Sequence, residues 1–344
     1  MKKKNLNIIR IILFTCTFVS LFFVPWPIVW TWLQPLPDTV QEQLEQGIDR
    51  GFDGMIVYVD QKEKPAKTYA AGWHNKEEKI PAKTDAYFKI ASISKLYFAL
   101  AITKLVNDGK LSLDASLSSY LPELKGRIEN ADQITLRLMV QHRSGIPNYT
   151  DTYNYWAAPK ETAQENLDLV LDFPGTFKPN EDYQYSNTNY LLLGLIIERI
   201  TGNDVSNFIK DEILIPNGLN NTFSGIHEVD IDDVMSGYYV GYDGDLKYDK
   251  QGMIATAEDV GKFIRALNEG SIFEDGEQEI YSSIYVYNHT GLIPGYQSIA
   301  KYHKDIDAVI VQFVNTVNFN GYEWNISEVV YNRIKKIVKK NSTN

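Results

Sequence analysis

Apolar and polar positions divide the chain into stretches of different periodicity. The first is a run without charge. Lys2, Lys3, Lys4 and Arg10 precede it, and no charged residue occurs from Ile11 to Pro37. Its apolar part, Ile11 to Leu33, is long enough to cross a bilayer as one helix. Trp26, Trp30 and Trp32 gather at its outer end, where aromatic belts form, and the basic head places residues 1–10 in the cytoplasm and the remainder outside. Pro25 and Pro27 oppose a continuous helix, which leaves a cleaved signal as the alternative to an anchor. No A-x-A cleavage site follows the run. The expected division is therefore 1–37 as anchor or signal segment and 38–344 as the exported domain, in the periplasm or on the outer face of the plasma membrane.

Beyond the run, the pattern alternates between strand and helix. Residues 38–50 predict a surface helix. Gly54 to Val59 is β-branched and apolar, and Lys67 to Ala71 is its hairpin partner. Ser94 to Asn107 is apolar on nearly every face, which predicts a buried helix stopped at Gly109. Residues 110–250 carry helical patterns, polar loops and many tyrosines, with few strand-like runs. Thr188 to Ile200 predicts a helix ending at Gly202, and Ala257 to Leu267 another. Ile284–Tyr287, Gln297–Tyr302 and Ala308–Asn315 then predict an antiparallel meander, and a helix over about Ile326 to Lys339 closes the chain. Strands at both ends with helices between them imply an α+β fold. In it an antiparallel sheet is flanked by helices and carries an all-helical insertion over about residues 110–250. A chain that leaves a sheet and returns to it opens a cleft between the two parts, where small-molecule sites lie.

Composition narrows the function. With 44% hydrophobic and 23% charged residues the chain has material for a sizeable core. Its 34 Lys+Arg against 44 Asp+Glu give a net charge of −10, and four of those bases lie ahead of residue 11. The domain is thus strongly acidic and repels phosphate backbones, so nucleic acid is not an expected partner. Cys16 is the only cysteine, which rules out an intramolecular disulfide. No His/Cys arrangement has metal-ligand spacing, and neither metal nor cofactor is expected.

Three short motifs carry candidate chemistry. Ser92-Ile93-Ser94-Lys95 is an S-x-x-K pattern at the start of the buried helix, where i and i+3 share a face. A serine hydroxyl needs a base. Lysine serves only when burial lowers its pKa from about 10.4. The helix start also offers backbone N–H groups to a developing oxyanion. Ser298-Ile299-Ala300-Lys301 matches the same pattern, but in a predicted strand, where i and i+3 face opposite ways. Tyr185-Ser186-Asn187 puts a phenol and an amide on one face of an extended segment. His289-Thr290-Gly291 ends a strand-like run in which i and i+2, His289 and Gly291, share a face, and Gly291 permits close approach of a ligand to the backbone. Taken singly, each has a plainer account: Ser92 or Asn187 as a helix cap, Tyr185 as a packed ring, Gly291 as a turn. His142 reads as a packed, hydrogen-bonded residue, and His74, His227 and His303 have no companions that suggest chemistry.

Together, in this order, Ser92-x-x-Lys95, Tyr185-x-Asn187 and His289-Thr290-Gly291 resemble the three motifs of the serine β-lactamase-like superfamily. The Tyr-x-Asn version is similar to that of its class C β-lactamase and D-alanyl-D-alanine carboxypeptidase branch. Phe88 to Asp114, Gln141-His142-Arg143-Ser144-Gly145-Ile146-Pro147, Tyr185 to Gly202, Pro216 to Leu219 and Ala255 to Asp259 are similar to further family blocks. The resemblance implies an acyl-enzyme on Ser92, with Lys95 and Tyr185 sharing general-base and general-acid work. It implies that Asn187 holds the substrate amide and that the N–H groups of Ser92 and Leu292 form the oxyanion hole. His289 and Thr290 would face the substrate's carboxylate or leaving group. His289 stands where many β-lactamases have lysine, and only about thirty residues separate the 255–259 block from it, a short interval for the family. The implied function is an exported serine hydrolase acting on D-alanyl peptides or esters of the peptidoglycan type. A β-lactamase and a catalytically idle envelope protein are the alternatives.

Overall fold

The computed structural model of the chain describes residues 3–250 and 252–342. A six-stranded antiparallel sheet organises it. Strands β1 (Gly54–Gln61), β2 (Lys67–Asn75) and β3 (Ile80–Pro81) come from the front of the chain. Strands β4 (His289–Ile293), β5 (Tyr296–His303) and β6 (Ala308–Val314) come from its end. The spatial order is β3-β2-β1-β6-β5-β4. The seam between the halves is the β1–β6 pair, in register from Met55 opposite Val314 to Gln61 opposite Ala308.

Both central strands are apolar on both faces, because each face is covered. Helices α3 (Val40–Ile48) and α8 (Glu323–Lys340) cover one face, packing on Met55, Val57, Val59, Ile310 and Val314. On the other face Ile56, Tyr58, Val309, Val311 and Phe313 join the main core around α4 (Ser94–Asn107). Phe88 stacks on Phe313 at 4.4 Å between centroids. Tyr97 of α4 stacks on Phe263 of α6 (Ala257–Glu269) at 3.8 Å. Each large apolar side chain so buried contributes about 1.5–3 kcal/mol. Residues 110–250 form the second part: short helices, irregular loops, the two-residue strands Thr222–Phe223 and Tyr238–Tyr239, which pair with Ile254–Ala255 and Thr316–Val317, and the long α5 (Asn187–Thr201), which ends at Gly202 in the left-handed conformation, φ 70°. Thr256 caps α6. From its first turn, Asp259 accepts the N–H of Asn221 at 2.6 Å, tying the helical part back to the sheet side.

The structure departs from the sequence expectations in three places, the first being the short paired strands within residues 110–250, an insertion expected to be all-helical. Ile284–Tyr287 is not a strand. It is the end of helix α7 (Glu277–Ile284) and the turn after it, and the meander begins instead at β4. Tyr281 is fully buried and Tyr287 meets it edge-on, so these aromatics pack on the core rather than pairing in a sheet. The uncharged run is also not one helix. It divides into α1 (Lys3–Ser20), a turn at Leu21–Phe23, and α2 (Trp26–Leu33). Val24 is extended, as the residue before a proline tends to be, and the Leu21 carbonyl accepts both the Val24 N–H and the Trp26 indole N–H. Among the described residues no single helix is long and apolar enough to cross a membrane. Ile9–Phe23 and Trp26–Leu33 meet the length and composition needed only together, as a pair bent by 84°. Moreover, α2 is part of the packed structure: Thr31 is buried and Ile28 lies against the cluster under α8.

Candidate active site

The serine is built into a tight turn ahead of α4. Ala91, Ser92 and Ile93 form one turn of 3-10 helix, entered through Ala91 at φ +50°. A left-handed non-glycine residue is uncommon, and here it sits directly before the candidate nucleophile. Two contacts hold the turn. The Ile90 carbonyl accepts the buried Ser298 hydroxyl at 3.1 Å. Strand β4, the edge of the sheet, runs alongside, and Gly291 lies directly against the turn. A Cβ there would lie 2.6 Å from the Ile90 oxygen and 2.9 Å from the Ala91 Cβ. The glycine therefore admits the serine's own turn, not only a ligand. Leu292 follows it, opposite Gln297 of β5, with its side chain partly exposed. Thr290 precedes it, opposite Ile299.

Two groups converge on Ser92. The Tyr185 hydroxyl lies 2.7 Å from its Oγ, and the Lys95 Nζ, one helical turn on, lies 3.4 Å away. Tyr185 is delivered from the extended residues before α5, with Ser186 at φ −140° and ψ 118°, so residues 185 and 187 do turn to one spot. Burial lowers the Lys95 pKa to about 7. The same cause raises Tyr185 above the ordinary phenol value. The Lys95 Nζ also lies 4.9 Å from the Tyr185 ring centre and 5.3 Å from that of Tyr190.

Asn187 is engaged inside the protein at both ends of its amide. Its Oδ1 accepts Lys95 Nζ at 2.8 Å and its Nδ2 donates to the Thr150 hydroxyl at 3.1 Å, while its backbone N–H donates to the Asn148 side chain. In this geometry it positions the lysine. Asn148 and Thr150 had no signal in the sequence beyond their place after the His-x-Ser-Gly-Ile-Pro segment.

His289 is a neutral group here. Its Nδ1 contacts the Thr290 carbonyl, which only accepts, so that nitrogen carries the proton and Nε2 accepts the Tyr285 hydroxyl at 2.9 Å. Burial, aided by the charge of Lys95, lowers its pKa to about 4. Tyr285 went unmarked in the sequence, where it is one tyrosine among many. His142 is buried, as expected, and sits closer to the site than its motif suggested. Its ring stacks on Tyr185 at 4.3 Å, its Nδ1 accepts the Ser186 N–H at 3.1 Å, and its Nε2 has no partner among the described residues. Burial lowers its pKa to about 3, so it too stays neutral. His74 and His303 bond to the Asp232 carbonyl and the Tyr331 hydroxyl, respectively.

Hollows flank the corner on both sides. A cleft of about 700 Å³ opens beside Lys95 and Asn187, walled by Phe98, Tyr149, Leu191 and Phe223, with His227 also on its wall. A smaller one of about 350 Å³ lies beside His142, Tyr185, Tyr285 and His289. Among the described residues no group of three or more His, Cys, Asp or Glu is placed to hold a metal ion. The assembled chemistry is thus a hydroxyl, an amine beside the cleft whose pKa is lowered to about 7, and a phenol beside the smaller hollow.

Comparisons with known proteins agree with this architecture. The Beta-lactamase family model matches residues 36–285, ending just before His289. Penicillin-binding protein 4* of Bacillus subtilis (strain 168) is 34% identical over 158 residues, covering 45% of this chain and 34% of the relative. The N-acetylmuramyl-L-alanine amidase of the same organism is 30% identical over 198 residues, covering 53% of this chain and 45% of the relative. The matches thus span less than half the length of these relatives. Among solved structures, the D-amino acid amidase of Ochrobactrum anthropi SV3 shares the fold with a TM-score of 0.77 at 24% identity, covering 88% of this chain and 98% of the other. A penicillin-binding protein of Bacillus halodurans does so with a TM-score of 0.74 at 21% identity, over 87% and 100%. With the family model matching well over half of its length, the chain belongs to the β-lactamase family of serine hydrolases.

Proposed function

We propose that this protein is an exported hydrolase working through an acyl intermediate on Ser92, and that its substrates are D-alanyl peptides, related amides or esters of the cell envelope. The observation that carries the reading is the convergence of Tyr185 and Lys95 on one serine oxygen, with the lysine pKa brought to about 7. Above that pH the Lys95 amine accepts the Ser92 proton, directly or across the Tyr185 hydroxyl. Tyr185, raised by burial, keeps its own proton and acts as relay and donor to the leaving group. The Ser92 oxygen then attacks the substrate carbonyl, and the backbone N–H groups of Ser92 and Leu292 receive the oxyanion. Water repeats the cycle to release the acyl group. Asn187 keeps Lys95 in place. His289 and Thr290 line the side toward the leaving group or carboxylate.

The neutral state of His289 supports amide or ester substrates without a free carboxylate over β-lactam turnover, because a fixed positive charge for the antibiotic's carboxylate is lacking at that position. The basic head and the uncharged residues 11–33 support an N-terminal membrane anchor with the domain outside. The test compares kcat/KM for a D-Ala-D-Ala peptide, a D-amino acid amide, a simple acyl ester and a chromogenic cephalosporin. The reading expects turnover of at least one of the first three and slow release after acylation by the cephalosporin. Efficient cephalosporin turnover without peptide, amide or ester activity overturns it in favour of a β-lactamase.

A further inference from the structure

We propose that α2 is an interfacial helix, lying in the plane of the bilayer surface with Trp26, Trp30, Trp32 and Leu33 in the lipid. Through a clamp on α8 it holds the catalytic domain against the membrane without a flexible stalk. The inference rests on the membrane-anchored reading above and extends it.

Length is the first argument. From Ile11 to Phe23, at about 1.5 Å per residue, the first helical segment spans about 20 Å, and a hydrocarbon core is about 30 Å thick. The segment alone falls short by about 10 Å. Arg10 at its inner end is a snorkelling residue and covers part of the gap. A helix lying in the interface with apolar side chains in the lipid sits about 5–10 Å below the surface and covers the rest. Direction is the second argument. The two segments meet at 84°, so when the first stands along the membrane normal the second lies in the membrane plane.

Exposure is the third. Trp26, Trp30, Trp32 and Leu33 are 39%, 55%, 63% and 56% exposed, whereas Thr31 of the same helix is 1% exposed against the domain. Amphipathic indole rings at the outer end of an apolar span favour the headgroup level. Their surface continues into Phe22 and Phe23, 74% and 82% exposed. No charge interrupts it up to Asp38. A lipid surface matches all of this.

The clamp follows directly after α2. Arg333 of α8 is buried and donates to the carbonyls of Gln34 at 2.8 Å and Pro35 at 2.7 Å, and to the Gln43 side chain at 2.7 Å. Lys340 pairs with Asp38 at 2.8 Å, and the Asn341 amide donates to the Asp38 carbonyl. The link between α2 and α3 is therefore fastened along its length. Because α8 covers the face of the sheet opposite the α4 side, where Ser92 lies, the clamp keeps the catalytic corner on the side of the sheet away from the lipid helix. A substrate in the space outside the membrane suits that placement better than one embedded in the bilayer.

The experiment uses the full chain in phosphatidylcholine/phosphatidylglycerol vesicles carrying bromine at shallow or deep acyl positions. Tryptophan quenching is expected to be at least twofold stronger with shallow bromines. The triple variant Trp26→Phe, Trp30→Phe, Trp32→Phe should lose most of it while still floating with the vesicles. Equal quenching at both depths, or quenching undiminished in the triple variant, overturns the proposal. So does a lipid-independent dimer that shields these residues, which assigns the face to a second copy. Failure of the wild-type chain to float at all is a different result: it defeats the anchor reading itself. For the clamp, Arg333→Met should broaden the distances measured by energy transfer between a domain label and headgroup acceptors, with hydrolysis of a soluble ester unchanged. An unchanged distance distribution in the folded variant overturns the fixed attachment. The tryptophan variant keeps the interfacial claim testable if Arg333→Met fails to fold.

Discussion

Ser92-Ile93-Ser94-Lys95 and Ser298-Ile299-Ala300-Lys301 share one four-residue pattern and have opposite fates. In the first, a helical turn brings the two functional groups within 3.4 Å of each other, and burial lowers the lysine pKa toward neutrality. In the second, the pair lies on strand β5. Ser298 is buried, while Lys301 extends over the Tyr331 ring at 5.8 Å. The residue types are the same, but only the helical period makes a proton-sharing pair. The two copies are also connected, since the Ser298 hydroxyl braces the carbonyl of Ile90, at the entrance to the Ser92 turn.

The contrast breaks first at the proton carriers. Lys95→Ala and Tyr185→Phe should each lower kcat by about 10²-fold or more. The double variant should be little worse than the poorer single, because the two act as a unit. Steady-state kinetics on an activated ester measures this, and full additivity would assign them separate roles. Next comes the place where β4 meets the serine's turn. Gly291→Ala puts a carbon 2.6 Å from the Ile90 backbone oxygen, as well as against the Ser298 hydroxyl. The strand or the turn must shift, and kcat should fall by about tenfold to 10²-fold with the protein still folded by circular dichroism. Wild-type activity in this variant would mean that the close approach plays no part in placing Ser92.

The pH profile sharpens the electrostatic half of the comparison. In the proposed mechanism Lys95 acts as the neutral amine, and its pKa is lowered to about 7, so kcat/KM should rise with pH through about 7 and then level off. His289, at about 4, should add no step between pH 5.5 and 9, and His289→Lys should leave the limb near 7 in place. A step that vanishes in His289→Lys would show that the imidazole titrates in the working range after all. The smallest effects belong to the second copy. Ser298→Ala removes one buried hydrogen bond and should cost about 1 kcal/mol in denaturant unfolding, with a few-fold loss of kcat. Lys301→Ala should change kcat little.

The legibility of the molecule follows from how local each signal is. The buried α4, the α5 helix with its Gly202 stop, and the apolar central strands were readable because period and breaker residues lie within the segment itself. Ile284–Tyr287 misled because β-branched and aromatic residues also suit the end of a helix that packs aromatics into a core. The break in the uncharged run was signalled by Pro25 and Pro27. The docking of α2 was not, since it depends on Arg333, some three hundred residues away. In the site, the motif residues could be named because their spacing matches helix and strand periods. Asn148, Thr150, Tyr285 and the stacking of His142 on Tyr185 arise only when distant segments fold together. The occupied amide of Asn187 likewise has no trace in the order of residues.

Mapping of covalent labelling tests the central claim most directly. The full chain is incubated with a penicillin or an activated phosphonate, weighed intact and then digested. The account predicts one adduct per chain, on the peptide containing Ser92, absent in Ser92→Ala and retained in Ser298→Ala. An adduct on any other residue, or one that persists in Ser92→Ala, would contradict it.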